Sequence, residues 1–152
     1  MRDDYILKPA TTQHADGISR VIRDAIARVN AKDYPPAEID RLLQNFTAER
    51  VLQLLGQRQT LVALAGDDII GTGALHGAEV KSVFVAPDWH RRGVATALVR
   101  ELERIAKRQG TQTLEVSSSL SATAFYTAMG FQETSRSFYG DEETVLMSKP
   151  LG

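Results

Sequence analysis

Apolar and polar residues alternate along the chain with two different periods, one typical of strands and one typical of helices. Residues 79–85 are rich in β-branched and aromatic side chains and end before Pro87, which cannot continue a β-ladder. After residue 93 the apolar positions recur at i, i+3, i+4, i+8 and i+11, as on one face of a helix. Those positions are Val94, Ala97, Leu98, Leu102 and Ile105. The pattern predicts a strand over 79–85, a loop, and a helix over 93–108.

The same two periods predict the other elements of the fold. Strands are expected over 5–8, 60–65, 69–75, 113–117, 131–138 and 143–149, and helices over 18–29, 39–46, 47–55 and 121–129. Turn residues at 66–68 and 77–78 connect short strands, so three antiparallel neighbours should precede the long helix. The last two strands are expected to form a hairpin through residues 139–142.

Length and composition limit the class of protein. A chain of 152 residues is long enough for one domain with a core and too short for two of ordinary size. No apolar stretch approaches the roughly 20 residues that cross a membrane, and the first residues lack the apolar core of a signal peptide, so we expect a cytoplasmic protein that does not associate with membranes. The absence of cysteine excludes disulfides, cysteine-containing zinc sites and an acyl-cysteine intermediate.

Net charge and histidine spacing exclude further classes of ligand. A formal net charge of −1 provides no broad basic field, so we expect no nucleic-acid partner. The three histidines lack a metal-ligand spacing such as H-x-x-x-H, and therefore no metal is expected.

The junction between strand 79–85 and the following helix is the predicted ligand site. The first N–H groups of a helix have no intrahelical partner and carry the positive end of the helix dipole, so they suit a phosphate. Gly93 and Ala95 leave room for such a group, and Arg91 and Arg92 add cationic donors whose contacts contribute about 1.5–3 kcal/mol. The alternative interpretation is an ordinary turn with two solvated arginines.

Two segments resemble motifs of the GNAT acyltransferase superfamily. Residues 83–95 read VFVAPDWHRRGVA and are similar to its pyrophosphate motif, Q/R-x-x-G-x-G/A, except that His90 stands where Gln or Arg is usual. Residues 119–131 resemble the pattern N-x-x-A-x-x-F-Y-x-x-x-G-F, with Ser119 in place of Asn. Two motifs at the expected separation are much more specific than either one alone.

The resemblance implies a fold and a reaction. The implied fold is α+β, the GNAT acyl-CoA N-acyltransferase fold, in which a mixed and mostly antiparallel sheet is flanked by helices, here as a single domain over residues 1–152. The implied reaction is transfer of an acetyl group from acetyl-CoA to a primary amine by direct attack in a ternary complex. The resemblance is good over residues 60–149, whereas the first 60 residues agree only in helix layout and should encode acceptor preference.

The resemblance also implies the residues that contact acetyl-CoA. Backbone groups of Phe84 and Val85 are expected to pair with the pantetheine amides, an N–H near Val85 to stabilise the oxyanion, and the amides of 92–96 to receive the pyrophosphate. The full predicted set is Phe84, Val85, His90, Arg91, Arg92, Gly93, Val94, Ala95, Thr96 and Ser119.

Two residues are the predicted catalytic groups. Tyr126 stands where the family places a tyrosine that faces the CoA sulfur, so we expect it to protonate the leaving thiolate; packing in the core, with its hydroxyl bonded to backbone, is the alternative. Glu79 begins the central strand where some members carry a catalytic glutamate, so it is the predicted base. His76, water, or a merely solvated Glu79 are the other interpretations.

The acceptor stays open at this level. A small-molecule amine is preferred over a protein N-terminus or lysine, and Glu79 and Tyr126 favour catalysis over a non-catalytic acyl-CoA sensor. Neither the acyl chain preference nor the oligomeric state, monomer or homodimer, follows from the sequence. Candidates for the acceptor pocket are the aromatic residues Tyr34, Trp89, Phe138 and Tyr139 and the acidic loop residues Asp33, Glu38, Asp141 and Glu142.

Overall fold

The computed structural model describes residues 4–28, 32, 34–139 and 142–152. Within these ranges the strands are β1 (Ile6–Pro9), β2 (Gln59–Ala65), β3 (Asp68–His76), β4 (Glu79–Val85), β5 (Thr113–Ser118), β6 (Gln132–Tyr139) and β7 (Glu142–Pro150). The α-helices are α1 (Ala15–Arg28), α2 (Pro36–Gln44), α3 (Ala48–Leu55), α4 (Val94–Arg108) and α5 (Thr123–Ala128). Short 3₁₀ turns at Thr12–His14, Pro87–Trp89 and Leu120–Ala122 lie ahead of α1, α4 and α5.

The strands form one sheet in the order β1-β2-β3-β4-β5-β7-β6. Every neighbouring pair is antiparallel except β4 and β5, which run parallel. The prediction of a mixed, mostly antiparallel sheet flanked by helices is therefore confirmed, as is the run of three antiparallel strands ahead of the long helix.

The sheet is nearly interrupted between its two parallel strands. The register joins β4 to β5 only at Glu79 with Glu115 and at Val80 with Val116, although β5 continues to pair with β7 as far as Ser118. A bulge in β4 accompanies this separation. The remaining length of β4 therefore diverges from β5 and leaves a gap inside the sheet.

The bulge in β4 is defined by its register with β3. Ala74 faces Lys81 and Thr72 faces Phe84, so a single β3 residue stands opposite both Ser82 and Val83. Ser82 has a φ of 53°, a conformation that non-glycine residues seldom adopt. An extra residue of this kind bends a strand and increases its twist, and so it contributes to opening the gap.

Each face of the sheet is covered by its own apolar cluster. On one face α4 buries Leu98, Leu102 and Ala106 completely against the strands. On the other face Ile22 of α1 and Val51 of α3 pack over β2. Burying a large aliphatic side chain contributes about 1.5–3 kcal/mol, so both layers hold β4 firmly in position.

A glycine in β3 lets α4 lie close to the sheet. An ideal Cβ atom at Gly71 would stand 3.0 Å from Cγ1 of Val94, the first residue of α4. Such a distance is tighter than ordinary packing, and a larger side chain would push the start of α4 away from the strands. The small residue therefore helps to fix the helix start beside the gap.

Some sequence predictions reach beyond the described residues. The predicted end of the first helix at Val29 lies outside them, and so do Gly140 and Asp141 of the last hairpin. Across the described ranges, no helix combines the length and the apolar character needed to cross a membrane.

Lys149 of β7 fastens α5 to the rest of the fold. Its Nζ donates to Oε1 of Glu103 in α4 at 2.8 Å and to the carbonyl oxygen of Met129, at the end of α5, at 2.7 Å.

We expect Lys149→Met to lower the free energy of unfolding by about 1–3 kcal/mol, because both acceptors lose their partly buried donor. Denaturant unfolding measures this loss. The exposed Lys107 of α4 offers the matched control, Lys107→Met, and equal stability of the two variants would contradict the assignment.

Candidate active site

The gap between β4 and β5 opens into a cavity of about 770 Å³. Its walls come from α1 and α2 on one side, from β4, the loop 86–93 and the start of α4 in the middle, and from β5 and α5 on the other side. The volume lies within the range of about 300–1,000 Å³ that is usual for small-molecule sites. The two segments singled out by sequence, 83–95 and 119–131, therefore meet around one cavity.

Tyr126 lies in the wall that α5 contributes. Its side chain is 6% exposed, and its ring makes edge contacts with Phe125 and Phe131, at centroid distances of 5.0 and 5.4 Å. Among the described residues no group forms a hydrogen bond with its hydroxyl. Burial raises the pKa of Tyr126 well above its ordinary value of 10.0. The cavity wall thus holds a neutral buried donor without an acceptor, which fits a ligand atom such as the thioester sulfur.

The backbone of β4 turns polar groups toward the gap. The N–H of Ala86 donates to the carbonyl of Ile70 on β3 at 2.8 Å. Because bonded and non-bonded residues alternate in an antiparallel pair, Val85 directs its N–H and C=O away from β3, whereas Phe84 directs its groups toward β3. The phenyl ring of Phe84 lines the cavity and packs edge-on against Phe46, with centroids 5.9 Å apart.

His90 occupies part of this backbone edge. Its Nε2 lies 3.0 Å from the carbonyl oxygen of Val85, an arrangement in which the ring nitrogen donates the hydrogen bond. His90 also lines the cavity. The histidine that departs from the family motif therefore ties the loop to the end of β4.

The start of α4 presents a row of N–H groups. The N–H of Ala97 is the first to reach an intrahelical acceptor, the carbonyl of Gly93 at 3.0 Å. The N–H groups of Val94, Ala95 and Thr96 precede it and therefore lack such acceptors, and all three residues line the cavity. Arrays of this kind bind anions, so the start of α4 fits a pyrophosphate.

The loop before α4 adopts an unusual conformation. Arg91 and Gly93 both have positive φ, 64° and 80°. The left-handed conformation costs a non-glycine residue about 1–2 kcal/mol of conformational free energy, so Arg91 is strained. An ideal Cβ atom at Gly93 would have no heavy atom within 4 Å, so the space beside its backbone is open to a ligand.

The two arginines of the loop have different surroundings. Arg91 lines the cavity, whereas the guanidinium of Arg92 lies 4.9 Å from the ring centroid of Trp89. Trp89 in turn contacts the ring of Tyr5, whose hydroxyl donates to the carbonyl of Gly93 at 3.4 Å. These aromatic contacts stabilise the loop, and Arg91 is the arginine that lines the cavity.

Glu79 lies beside the cavity at the start of β4. Its Oε2 is 3.1 Å from Nζ of Lys81 and accepts a hydrogen bond from Ser117 at 3.4 Å. Lys81 and Ser117 line the cavity, and Glu79 stands directly next to them. His76 is its register partner on β3 and is exposed, so the two predicted bases occupy neighbouring positions.

The remaining predicted residues separate into several groups. Ser119 lines the cavity, with its Oγ 3.5 Å from that of Ser121. Tyr34 and Trp89 also line it, whereas Phe138 is 66% exposed and takes no part in its lining. Glu38 forms an ion pair with Arg41. Of the other acceptor-pocket candidates, Asp33 and Asp141 lie outside the described residues, as do the side chains of Tyr139 and Glu142.

Several lining residues were not predicted as functional. The apolar wall includes Ile26, which the helical stripe of α1 had marked only as core, together with Leu42 and Phe46. The polar pair Lys81 and Ser82 interrupts the apolar residues of β4 between Val80 and Val83, and this interruption is the signal that could have identified them. The described ranges contain no cluster of three or more His, Cys, Asp or Glu side chains suited to a metal ion.

Comparisons with known proteins agree with this geometry. The family model described as acetyltransferase (GNAT) domain matches residues 30–147. An aminoglycoside N(6')-acetyltransferase type 1 of Acinetobacter genomosp. 13 is 30% identical over 109 residues, which cover 67% of this chain and 75% of that protein. The [ribosomal protein bS18]-alanine N-acetyltransferase of Escherichia coli K12 is 31% identical over 113 residues, 68% of this chain and 74% of that protein.

Solved structures share the whole fold. A GCN5-related N-acetyltransferase from Rhodopseudomonas palustris superposes with a TM-score of 0.90 at 22% identity, over 99% of this chain and 98% of the other. The paia N-acetyltransferase of Thermoplasma acidophilum in complex with coenzyme A gives a TM-score of 0.81 at 16% identity, over 97% and 99% of the two chains. The chain belongs to the GNAT family of acetyl-CoA-dependent N-acetyltransferases.

Proposed function

We propose that this acetyltransferase acetylates a primary amine of a small molecule, with acetyl-CoA lying in the gap between β4 and β5. The observation that carries the proposal is the buried Tyr126 hydroxyl, which has no partner among the described residues and lies in the wall of a cavity that also contains the start of α4. A buried donor at one position and an anion-binding helix start at another suit the two ends of a CoA thioester.

Each chemical step has a candidate group in the cavity. The acceptor amine arrives mostly as an ammonium, since such amines have a pKa near about 10, and it gives one proton to Glu79 directly or through water. Its nitrogen then forms a bond to the thioester carbonyl carbon, and the N–H of Val85 stabilises the negative charge on the carbonyl oxygen. The carbon–sulfur bond breaks, and the thiolate receives the proton of Tyr126, while the nitrogen gives its second proton through water to the tyrosine oxygen. Glu79 releases the first proton to solvent. The products are an N-acetyl amine and CoA.

The volume of the cavity, about 770 Å³, favours a small acceptor. Its lining includes apolar residues of α1 and α2, namely Ala25, Ile26 and Leu42. A protein amine is the second candidate, because the similar Escherichia coli protein is an alanine N-acetyltransferase for a ribosomal protein. The similar Acinetobacter protein, an aminoglycoside acetyltransferase, represents the small-molecule class.

A thiol-release assay tests the proposed function. The protein is incubated with acetyl-CoA and a panel of small amines and amine-bearing peptides, while calorimetry measures binding of CoA alone. We expect saturable CoA binding and amine-dependent thiol release that is faster with small amines. Binding without release would instead identify an acyl-CoA sensor, and faster release with peptides would favour the protein class.

Glu79→Gln is expected to lower kcat/KM by about tenfold, because the amide cannot accept the ammonium proton. The acidic limb of the pH profile of kcat/KM should also change, because the variant has no carboxylate at this position to accept the proton. His76→Ala is the matched comparison, because His76 is the register partner of Glu79. If the limb changes only in His76→Ala, histidine is the base; if it changes in neither variant, both assignments are wrong.

A further inference from the structure

Two opposite charges lie side by side at the start of β4, next to the cavity. The carboxylate of Glu79 and the ammonium of Lys81 are 3.1 Å apart, and both side chains are about one-third exposed. They extend from the same face of β4, since residues two apart in a strand share a face, and Lys81 lines the cavity itself. An acceptor beside Lys81 therefore meets a negative and a positive group together.

A second cation supports the positive half of this arrangement. Nη1 of Arg58 donates to Ser82 at 3.1 Å, in a half-buried position. Within the described residues no carboxylate lies at ion-pair distance from Arg58. Its pKa is lowered mainly by burial, while the charge of Glu79 opposes that change. Glu115, the register partner of Glu79 on β5, is exposed and takes no part in the cavity lining.

Another wall of the same cavity is apolar. Ile26 of α1, Leu42 of α2 and the neighbouring Phe46 line the same cavity, where the ring of Phe46 meets that of Phe84. A side chain bound against this wall is stabilised because its apolar surface is removed from water. The site thus combines a charge pair with space for an apolar group.

From this arrangement we propose that the acceptor is an α-amino acid with an apolar side chain. Its ammonium pairs with Glu79, its carboxylate pairs with Lys81, and its side chain lies against the wall of α1 and α2. The inference rests on the proposed function, because it assigns the acceptor of that same reaction. An α-amino acid carries its ammonium and its carboxylate on the same carbon atom, so its two opposite charges are close enough to pair with a carboxylate and an ammonium that are 3.1 Å apart.

The same charges disfavour other amines. A polycation would bring further positive charge toward Lys81 and Arg58, and an amine without a carboxylate would leave Lys81 paired with Glu79 alone, which reduces the availability of Glu79 as base. Transfer follows the steps given above: the amino nitrogen gains the acetyl group and loses two protons, one to Glu79 and one through water to the tyrosine oxygen. CoA leaves as the thiol, and the carboxylate of the acceptor is unchanged.

Matched acceptors test the inference in the wild-type protein. L-phenylalanine, L-phenylalaninamide and phenethylamine share one side chain and differ only at the carboxylate, and L-leucine with its amide and isoamylamine forms a second series. With saturating acetyl-CoA, thiol release should give a kcat/KM for each amino acid at least about tenfold above those of its amide and decarboxylated amine, because a tenfold preference needs only about 1.4 kcal/mol. Kanamycin serves as the polycation.

A substitution at Lys81 then identifies the source of the preference. In Lys81→Met the ratio of kcat/KM between L-phenylalanine and phenethylamine should fall about tenfold, whereas Lys81→Arg should retain it, as should Lys107→Met on the distant face of α4. Preference for the amide, the decarboxylated amine or kanamycin in the wild type would overturn the inference and leave the proposed function standing. An unchanged ratio in Lys81→Met would also overturn it. Absence of release with every amine would overturn the proposed function as well.

Discussion

Replacing Tyr126 with phenylalanine is expected to lower kcat by about 10- to 1000-fold while acetyl-CoA binding stays nearly unchanged. The variant keeps the ring contacts with Phe125 and Phe131 and removes only a hydroxyl that has no partner among the described residues. Loss of that hydroxyl deprives the departing thiolate of its proton donor. Thiol release at saturating substrates measures kcat, and calorimetry with CoA measures binding.

Thr127→Ala provides the matched control for this prediction, because the next residue of the same helix is exposed. Its kcat should equal that of the wild type. Burial disfavours the phenolate and raises the pKa of Tyr126, so the proton stays on the hydroxyl throughout the range below its ordinary pKa of 10.0. An alkaline loss of kcat below pH 10 that disappears in Tyr126→Phe would contradict this protonation state, and equal kcat in wild type and variant would remove Tyr126 from the mechanism.

Gly93→Val is expected to weaken acetyl-CoA binding by about 10- to 30-fold. The φ of 80° costs a side-chain-bearing residue about 1–2 kcal/mol, and a β-branched side chain suffers most. The loop can relieve this strain only by leaving the left-handed conformation, which moves the N–H groups at the start of α4 out of alignment. Calorimetry with CoA and the KM for acetyl-CoA measure the effect.

Gly110→Val separates the effect on the ligand from the effect of backbone strain. Gly110 has a φ of 90°, follows the other end of α4, and likewise has open space around an ideal Cβ atom. Its substitution should reduce stability by a similar amount and leave acetyl-CoA affinity as in the wild type. Equal affinity in the two valine variants would mean that the loop at Gly93 does not hold the pyrophosphate.

Periodicity was sufficient to predict most helices and strands of this chain. The stripe containing Val94, Leu98 and Leu102 is buried as the pattern required, because an amphipathic helix has no other stable way to place those side chains. The ends of helices were predicted less accurately, because helix caps depend on backbone conformation. Gly93, for example, is the left-handed N-cap of α4, and the helix begins one residue later.

Other features of the site depend on pairing between distant segments. The bulge at Ser82 is defined by the register between β4 and β3. The gap arises because β5 stays paired with β7 where β4 diverges from it. Arg58 meets Ser82 across 24 positions of sequence, and Ser117 meets Glu79 across 38. Local composition does not predict such contacts. The sequence motifs indicated part of the cavity wall, whereas the proposed acceptor position depends on contacts that only the fold brings together.

The short pairing between β4 and β5 has a consequence for the stability of the protein. The sheet consists of a four-stranded half and a three-stranded half that share register at only two positions. A CoA ester lying in that opening would act as a missing interior strand and link the two halves. A ligand present at one hundred times its dissociation constant adds about 2.7 kcal/mol of stability. Unfolding of the enzyme would then depend on the concentration of acetyl-CoA.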